Sequence, residues 1–511
     1  MYKAMLGKII DHQIGVPLTS REVWTIAFAF VATATLSAAY LMRFGPDFAD
    51  ITTLLMTGER MLNGETLYVE VRDINPPFSI WLYLPYAFLD RLTGIDAYIW
   101  LGIGLTVVLS ASLFALNAIL RDGLSLETQP RRTTLWVIAC VCLLVMPTQF
   151  AQREHFCIIA ALPFFGLIAA RLQTGYRPRL IFALAIGSMA ATLVILKPHY
   201  SIGLGLPLCW LAWRRKDLRY LFVTEALAVA VLVLLYGAGI YLIHPEFFTT
   251  MLPIAVDVYL LKRAPITVLV LLATLSVALP ILVSVWIGKM RDRSSPLAFV
   301  LYLAAAGFTA AYFIMGKGWM YHLLPASISA FAALAIQAFS DQSSTSSGSS
   351  TGRQRIIMGG LFVITIMLSL QGLRSHQIPE QVLLLKSEPS IVFVSPDIAV
   401  NVPIAKRLQA DWRERDPHDY IGAIAAEYAE RSTEEHGDRL ENYLSAELDN
   451  EAAHMALIRP DLIVLNKGAR QWHDLVVSDD RIATILQDYA AIATQGDLTY
   501  LARKDLISQT N

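Results

Sequence analysis

Residues 43–85 read RFGPDFADITTLLMTGERMLNGETLYVEVRDINPPFSIWLYLP and directly follow the first apolar run of the chain. They form most of a polar connection, 43–96, that is the longest one before residue 375. Within it, residues 50–62 carry apolar side chains at helical spacing, which predicts an amphipathic helix lying on a membrane surface. Asn63-Gly64 is a typical helix end. The stretch is therefore expected to be an ordered loop at a membrane boundary.

The same loop continues into an aromatic segment. Asp73-Ile-Asn75-Pro76-Pro77 is expected to be extended, because each proline restricts the residue before it. Residues 78–90 are too short for a confident membrane span. Since Trp and Tyr favour the headgroup level, we expect them to form an interfacial or re-entrant helix.

On both sides of this loop the chain is strongly apolar. Of 511 residues, 55% are hydrophobic and only 16% are charged, and the mean hydropathy is +0.50. Soluble proteins carry about 25% charged residues, so this balance argues against a large soluble enzyme. A bilayer is crossed by about 20 apolar residues in a helix. The candidate spans are 23–42, 97–120, 133–149, 156–171, 180–196, 200–213, 221–243, 266–288, 297–315, 320–339 and 355–373.

The short connections between these runs differ in their content of Lys and Arg. The N-terminal segment and every second connection after it are the richer ones, which by the positive-inside rule predicts a cytoplasmic N-terminus. One of these connections, 340–352 (SDQSSTSSGSSTG), is of low complexity and is expected to be a flexible cytoplasmic linker. With about eleven spans, the residues after 374 lie outside the cytoplasm.

The C-terminal segment, 375–511, has a different composition. It holds 13 basic and 23 acidic residues, against 28 and 19 in the rest of the chain. IVFVS (391–395) and DLIVLN (461–466) are typical of buried strands, and 411–451 and 481–493 are expected to be helical. The fold class predicted is an α-helical polytopic membrane protein (1–374) with a C-terminal soluble α/β domain (375–511) in the periplasm.

Three acidic residues of the first outer loop are candidates for chemistry. Asp47 and Asp50 follow the first span, where an aspartate is either a helix N-cap or a general base. Asp73 stands beside the proline pair, where turn formation and a catalytic role are equally open. From these residues alone, a structural role and a catalytic role both stay open for each aspartate.

Cationic residues recur at the other outer connections. Because a guanidinium or ammonium group at membrane depth attracts a phosphate, the set is a candidate phosphate site, although each residue alone could instead extend to the lipid headgroups. Glu154 and His155 are two weak metal-ligand candidates, too few to predict a metal site, and no cofactor follows from the sequence. The candidate phosphate ligands are Arg153, Lys197, His199, Arg263, Lys317 and His322.

The first loop resembles the GT-C superfamily of glycosyltransferases. The features that match are the Pro46-Asp47 after the first span, the surface helix, Gly64-x-x-x-Tyr68 and Asn75-Pro-Pro before an aromatic helix. More narrowly, the chain resembles the branch of protein O-mannosyltransferases, lipid A aminoarabinose transferases and rhizobial lipopolysaccharide galacturonosyltransferases. The resemblance implies transfer of a sugar from a polyprenyl-phosphate donor on the non-cytoplasmic face. It also implies that Asp47 is the general base, with Asp50 as competitor because this chain has Asp47-Phe48 where many relatives have Asp-Glu.

The implied protein is a bacterial inner-membrane enzyme whose partners are the lipid-linked donor, a periplasmic glycan, lipid or protein acceptor, and the bilayer. Two alternatives stay open: a flippase or transporter of a lipid-linked sugar, and a polysaccharide polymerase or ligase. The sequence has no P-loop, and its outer basic residues are too scattered to predict nucleic-acid binding. Glu225, near the start of a span, is the nearest case of a charge within one. The sugar, the acceptor and any dependence on a divalent metal are left open.

Overall fold

The computed structural model describes residues 20–290, 295–339, 359–360, 363, 377–412, 419–429 and 433–510. The predicted linker 340–352 lies outside these residues, and of the predicted span 355–373 only 359–360 and 363 are described. The helices before residue 340 are α1 (Ser20–Phe44), α2 (Ala49–Leu62), α3 (Phe78–Trp81), α4 (Leu84–Thr93), α5 (Ala97–Ala118), α6 (Thr128–Leu144), α7 (Arg153–Thr174), α8 (Leu180–Leu196), α9 (Ser201–Arg215), α10 (Thr224–Ile243), α11 (Leu252–Asp257), α12 (Ile266–Ala273), α13 (Leu279–Met290), α14 (Pro296–Met315) and α15 (Met320–Phe339).

The C-terminal part contains both helices and strands. Its helices are α16 (Glu380–Leu383), α17 (Ile398–Arg407), α18 (Tyr420–Tyr428), α19 (Glu434–Ile458), α20 (Arg470–Ser478), α21 (Asp480–Leu486) and α22 (Lys504–Thr510). Its strands are β1 (Ile391–Val394), β2 (Leu462–Asn466), β3 (Tyr489–Gln495) and β4 (Leu498–Arg503). The predicted fold class, a helical membrane protein with a C-terminal α/β part, is confirmed.

The chain divides into two compact units. The first contains the described residues of Met1–Met42, Ile95–Tyr236 and Ala264–Gly372. The second contains those of Arg43–Gly94, Gly237–Arg263 and Leu373–Asn511. Residues 43–94 of the first loop thus belong to the same unit as the C-terminal segment, although about 280 residues separate them along the chain.

Helices long and apolar enough to cross a membrane account for most of the first unit. Among the described residues, seven stretches meet this condition by length and composition. They are Trp24–Asp47, Ala97–Gly123, Arg153–Thr174, Thr224–Ile243, Ile266–Lys289, Pro296–Met315 and Met320–Phe339. Three more predicted spans are helices of 15 to 17 residues, namely α6, α8 and α9. The first ten predicted spans are therefore helical, while a total of eleven spans stays a prediction.

Helices α9 and α14 approach each other closely through two glycines. A Cβ atom added to Gly307 would lie 2.5 Å from the carbonyl oxygen of Ile202, and one added to Gly203 would lie 2.2 Å from the ring of Phe308. Because such distances are well inside van der Waals contact, only glycine permits this packing. Gly205, also on α9, has nothing within 4 Å of its added Cβ.

We predict opposite effects for alanine at two positions of α9. Gly203→Ala should lower the free energy of unfolding by about 1–3 kcal/mol, because the new methyl group overpacks against Phe308. Gly205→Ala is the matched control and should be neutral or slightly stabilising, since alanine favours the helix. Unfolding of both purified variants in the same detergent measures the difference. Equal stabilities would contradict the close approach of α9 and α14.

A buried ion pair joins α7 to the first turn of α10. Arg171 Nε and Nη2 donate to Glu225 Oε1 and Oε2 at 2.9 and 3.0 Å. The side chains are 9% and 0% exposed, respectively. Arg215 Nη2 in turn donates to the carbonyl oxygen of Arg171. The carboxylate of Glu225 is therefore paired, and it links α10 to α7 within the first unit.

The second unit is organised around a four-stranded sheet of order β1-β2-β4-β3. Strands β1 and β2 are parallel, and β4 runs antiparallel to β2 and β3. The side chains of β1 and β2 are buried on both faces, as their unbroken apolar sequences predict. The predicted strands are thus confirmed. The expected helix 481–493 is only partly right, since α21 ends at Leu486 and β3 begins at Tyr489.

The first outer loop contributes to the core of this unit. Ala49 and Met56 of α2 pack against a buried cluster that includes Val400 and Ile404 of α17. The helix predicted over 50–62 is confirmed as α2, but its apolar side is buried against protein, including α17, and does not lie on a membrane surface as predicted. The aromatic segment 78–90 forms the two short helices α3 and α4 rather than one.

Candidate active site

Five of the six predicted phosphate ligands lie in the first unit, at helix ends. Arg153 begins α7, Lys197 follows the last residue of α8, and His199 lies in the 3-10 turn before α9. Lys317 lies between α14 and α15, and His322 lies in the first turn of α15. We call Arg153, Lys197, His199, Lys317 and His322 the cationic cluster. Arg153, Lys197, Lys317 and His322 are each less than 9% exposed, which is unusual for ionisable side chains.

Glu154 and Tyr321 both contact members of the cationic cluster. Lys197 Nζ donates to Glu154 Oε1 at 2.5 Å. The same ammonium group lies 4.9 Å from the ring centroid of Tyr321, and the guanidinium of Arg153 lies 5.7 Å from that centroid. Both distances are within cation–π range. The tyrosine ring therefore contacts two cations that come from different helices.

The two histidines complete the cluster. The His322 ring packs edge-on against Tyr321 at 4.4 Å and interacts electrostatically with Lys197, Arg153, His199 and Lys317. Burial, and next to it Lys197, lower the pKa of His199 to about 4, while Glu154 opposes the shift. His199 is therefore neutral at physiological pH. His199 therefore adds no positive charge to the cluster at that pH.

The connection before α7 contains two strained residues. Met146 and Ala151 have φ angles of +53° and +60°, which residues other than glycine seldom adopt. His155 holds this backbone: its Nδ1 accepts from the Ala151 amide at 3.1 Å, and its Nε2 lies 2.6 Å from the Cys142 carbonyl oxygen. Since one nitrogen accepts, the other must carry the proton. Both ring nitrogens of His155 are thus engaged by the backbone rather than available to a metal ion.

Asp47 and Asp50 lie in the second unit, on either side of the start of α2. Asp47 ends the 3-10 turn Gly45–Asp47, and its Oδ1 accepts a hydrogen bond from Arg407 Nη2 of α17 at 3.0 Å. The side chains of Asp47 and Arg407 are 21% and 36% exposed. Asp50 lies in the first turn of α2 and is partly buried. Asp47 is thus accessible and is held by a residue of the C-terminal segment.

The motif residues of the loop meet one another locally. Tyr68, with a φ angle of +71° and 1% exposure, donates from its hydroxyl to the Asn75 carbonyl oxygen at 2.7 Å. Asp73 Oδ1 accepts from the backbone and side-chain nitrogens of Asn75, each at 2.7 Å. The neighbouring Arg72 is 4% exposed and forms a bidentate pair with Glu447 of α19. Asp73 therefore forms the turn expected of an aspartate there, and the loop is tied to α19.

The remaining predicted residue, Arg263, lies in the second unit and is exposed. Its neighbour Lys262 pairs with Glu427 of α18. Within the ranges that the structure describes, no group of three or more His, Cys, Asp or Glu side chains could hold a metal ion.

Three residues of these sites escaped the sequence reasoning. Tyr321 was not predicted as a site residue, because its position between two cations depends on helix packing. Tyr200, whose hydroxyl donates to the His322 carbonyl oxygen at 3.2 Å, begins an apolar run and has no local signal that marks it as a site residue. Arg407 lies 360 residues from Asp47, and no local pattern relates the two.

Comparison with known proteins finds structural similarity only. No protein-family model and no curated protein matches the chain. The structure of ArnT from Cupriavidus metallidurans in the apo state is similar with a TM-score of 0.50 at 14% identity, covering 95% of this chain and 98% of that one. The structure of the same protein bound to undecaprenyl phosphate has a TM-score of 0.47 at 13% identity, covering 94% and 98%. The chain therefore has the fold of apo ArnT.

Proposed function

We propose that this chain is a multi-pass inner-membrane glycosyltransferase of GT-C type. It moves a sugar from a polyprenyl-phosphate donor to a periplasmic acceptor, which is a lipid, a polysaccharide or a protein. The observation that carries the proposal is the buried cationic cluster in a fold shared with ArnT. ArnT itself binds undecaprenyl phosphate. We further propose that the N-terminus is cytoplasmic and that residues 375–511 form a periplasmic domain.

The cationic cluster is proposed to bind the donor phosphate. Arg153, Lys197 and Lys317 are all buried, and a phosphate held among them would bring a group of opposite charge. A phosphate supplies several acceptor oxygens at once, and a guanidinium can bind two of them. His199 adds a neutral hydrogen-bonding group and His322 adds a second imidazole, and Arg263 stays a candidate ligand.

Asp47 is proposed to be the general base. The acceptor hydroxyl oxygen forms a bond to the anomeric carbon while the bond from that carbon to the phosphate oxygen breaks. Polyprenyl phosphate leaves with the electron pair, and the hydroxyl proton passes to the Asp47 carboxylate. Because the leaving group is already a phosphate, no second carboxylic acid is needed to protonate it, unlike in a hydrolase. Asp50 and Asp73 are proposed to shape the acceptor site.

The proposal is tested by two measurements, the first on cells and the second on the purified protein. Cell-envelope glycans and lipids are first analysed by mass spectrometry with and without the gene, which identifies the sugar and the acceptor. Transfer of that sugar from its undecaprenyl-phosphate carrier is then assayed. We expect transfer with release of undecaprenyl phosphate. Movement of the intact lipid-linked sugar across a vesicle membrane without transfer would instead establish the flippase alternative.

We predict that Arg153→Gln weakens binding of undecaprenyl phosphate by about 10-fold or more, because one charge-assisted contact to the phosphate is lost. The matched control is Arg179→Gln, which removes an exposed arginine at the opposite end of α8 from Lys197. It should bind undecaprenyl phosphate as the unchanged protein does. Titration of the lipid in detergent measures both. Equal affinities of the two variants would contradict the phosphate role of Arg153.

A further inference from the structure

The carboxylate of Glu154 is only half satisfied. The side chain is fully buried, and Oε1 accepts from Lys197. Within the described part of the chain, Oε2 is buried and has no hydrogen-bond partner. A buried polar atom left in this state is costly, and most such atoms in folded proteins are bonded to something. The arrangement therefore calls for a hydrogen-bond donor that the described side chains do not supply.

Two neighbouring histidines also have buried polar atoms that no described residue satisfies. Among the described residues, His199 Nε2 and both ring nitrogens of His322 are also buried without hydrogen-bond partners. His199 interacts electrostatically with both Lys197 and Glu154, and His322 interacts with Lys197 and His199. The unsatisfied polar atoms thus belong to side chains grouped around one ammonium group. A single polar ligand beside Lys197 could satisfy several of them.

The chemical type of an unsatisfied atom indicates which part of a ligand could bind to it. A carboxylate only accepts hydrogen bonds, and it repels a phosphate that carries negative charge. The group facing Glu154 Oε2 must therefore carry an N–H or an O–H. In a lipid-linked sugar phosphate, the sugar is the part that has such groups, and it is joined directly to the phosphate.

We propose that Glu154 is a sugar-binding residue. Its Oε2 accepts a hydrogen bond from a hydroxyl or ammonium group of the donor sugar, while Arg153, Lys197 and Lys317 bind the adjoining phosphate. This inference rests on the function proposed above. It assigns to Glu154 a part in recognising the sugar rather than the lipid phosphate.

The test compares two ligands on the full-length protein in detergent. The probes are undecaprenyl phosphate alone and undecaprenyl phosphate carrying either a neutral hexose or an amino sugar. For Glu154→Gln we expect unchanged or tighter binding of the bare lipid, and about 10-fold to 100-fold weaker binding of at least one sugar-bearing lipid. Loss confined to the neutral hexose identifies a hydroxyl partner. A larger loss with the amino sugar identifies an ammonium partner.

Two further variants provide a control and a second way to remove the Glu154 oxygen. Glu127→Gln changes an exposed glutamate before α6 and should leave all affinities unchanged. Glu154→Asp keeps the charge but withdraws the oxygen, so it should reproduce the selective loss even where the glutamine variant folds poorly.

Equal losses of the bare and sugar-bearing lipids in both Glu154 variants would mean that Glu154 only neutralises Lys197. No change for either ligand would mean that water fills the gap. Each of these results overturns the inference and leaves the proposed function intact. Failure of the unchanged protein to bind undecaprenyl phosphate would overturn the donor assignment and, with it, the role of Glu154.

Discussion

Asp47→Asn is expected to reduce sugar transfer by about 100-fold to 10,000-fold while leaving the binding of undecaprenyl phosphate unchanged. Removing a general base that accepts a proton in the transition state has an effect of this size. Asparagine is isosteric and can still accept the hydrogen bond from Arg407. The local fold should therefore survive, and single-turnover transfer and lipid titration would separate a loss of chemistry from a loss of binding.

Asp73→Asn and Asp50→Asn are the comparisons for this experiment. The side-chain oxygen of asparagine at 73 can accept the same two hydrogen bonds from Asn75, so the turn should persist with near-normal transfer. Asp50→Asn removes the competing carboxylate from the first turn of α2. Full transfer by the Asp47 variant, together with loss in the Asp50 variant, would move the base to Asp50.

Glu225→Gln is expected to lower the free energy of unfolding by about 3–5 kcal/mol. The change leaves the Arg171 guanidinium, 9% exposed, without its bidentate partner, and breaking a buried pair in this way costs about that much. The double variant Arg171→Met/Glu225→Met removes both charges together and should recover most of the loss. Chemical unfolding in mixed micelles measures all three proteins.

The control for this prediction is the exposed pair Arg121–Asp122, whose side chains are 30% and 45% exposed. Asp122→Asn should cost about 1 kcal/mol or less, because solvent screens such pairs. A similar cost for the Glu225 and Asp122 variants would show that burial of Arg171 and Glu225 adds nothing to the stability of the first unit.

The parts of the fold that were predictable from the sequence have local causes. Apolar runs of membrane length, the stripe of α2 and the unbroken apolar strands β1 and β2 depend only on neighbouring residues. The β3–β4 hairpin was missed because Tyr489–Gln495 (YAAIATQ) is rich in alanine, which favours helices. Its pairing with β4 overrides that preference.

The candidate site was likewise predictable only in part. Five of the six predicted phosphate ligands lie together in the first unit, and they were recognised as one set because each stands at the end of an apolar run. The partner of Lys197 was not predictable, because Glu154 lies 43 residues away, and the same holds for the separate pair of Arg171 and Glu225, 54 residues apart. Such pairs depend on which helices become neighbours, which no local pattern records. The catalytic role of Asp47 stays a prediction.

The hydrogen bond between Asp47 and Arg407 has a consequence for biosynthesis. The two residues are 360 positions apart, and α2 shares a hydrophobic core with α17. At a translation rate of about 5–20 residues per second, the partner of Asp47 emerges from the ribosome roughly 20–70 seconds after Asp47 itself. During that interval the amphipathic helix has no α17 to pack against. A nascent chain stalled before residue 398 should therefore leave Ala49 and Met56 open to labelling or to capture by a chaperone, and completion of the chain should protect them.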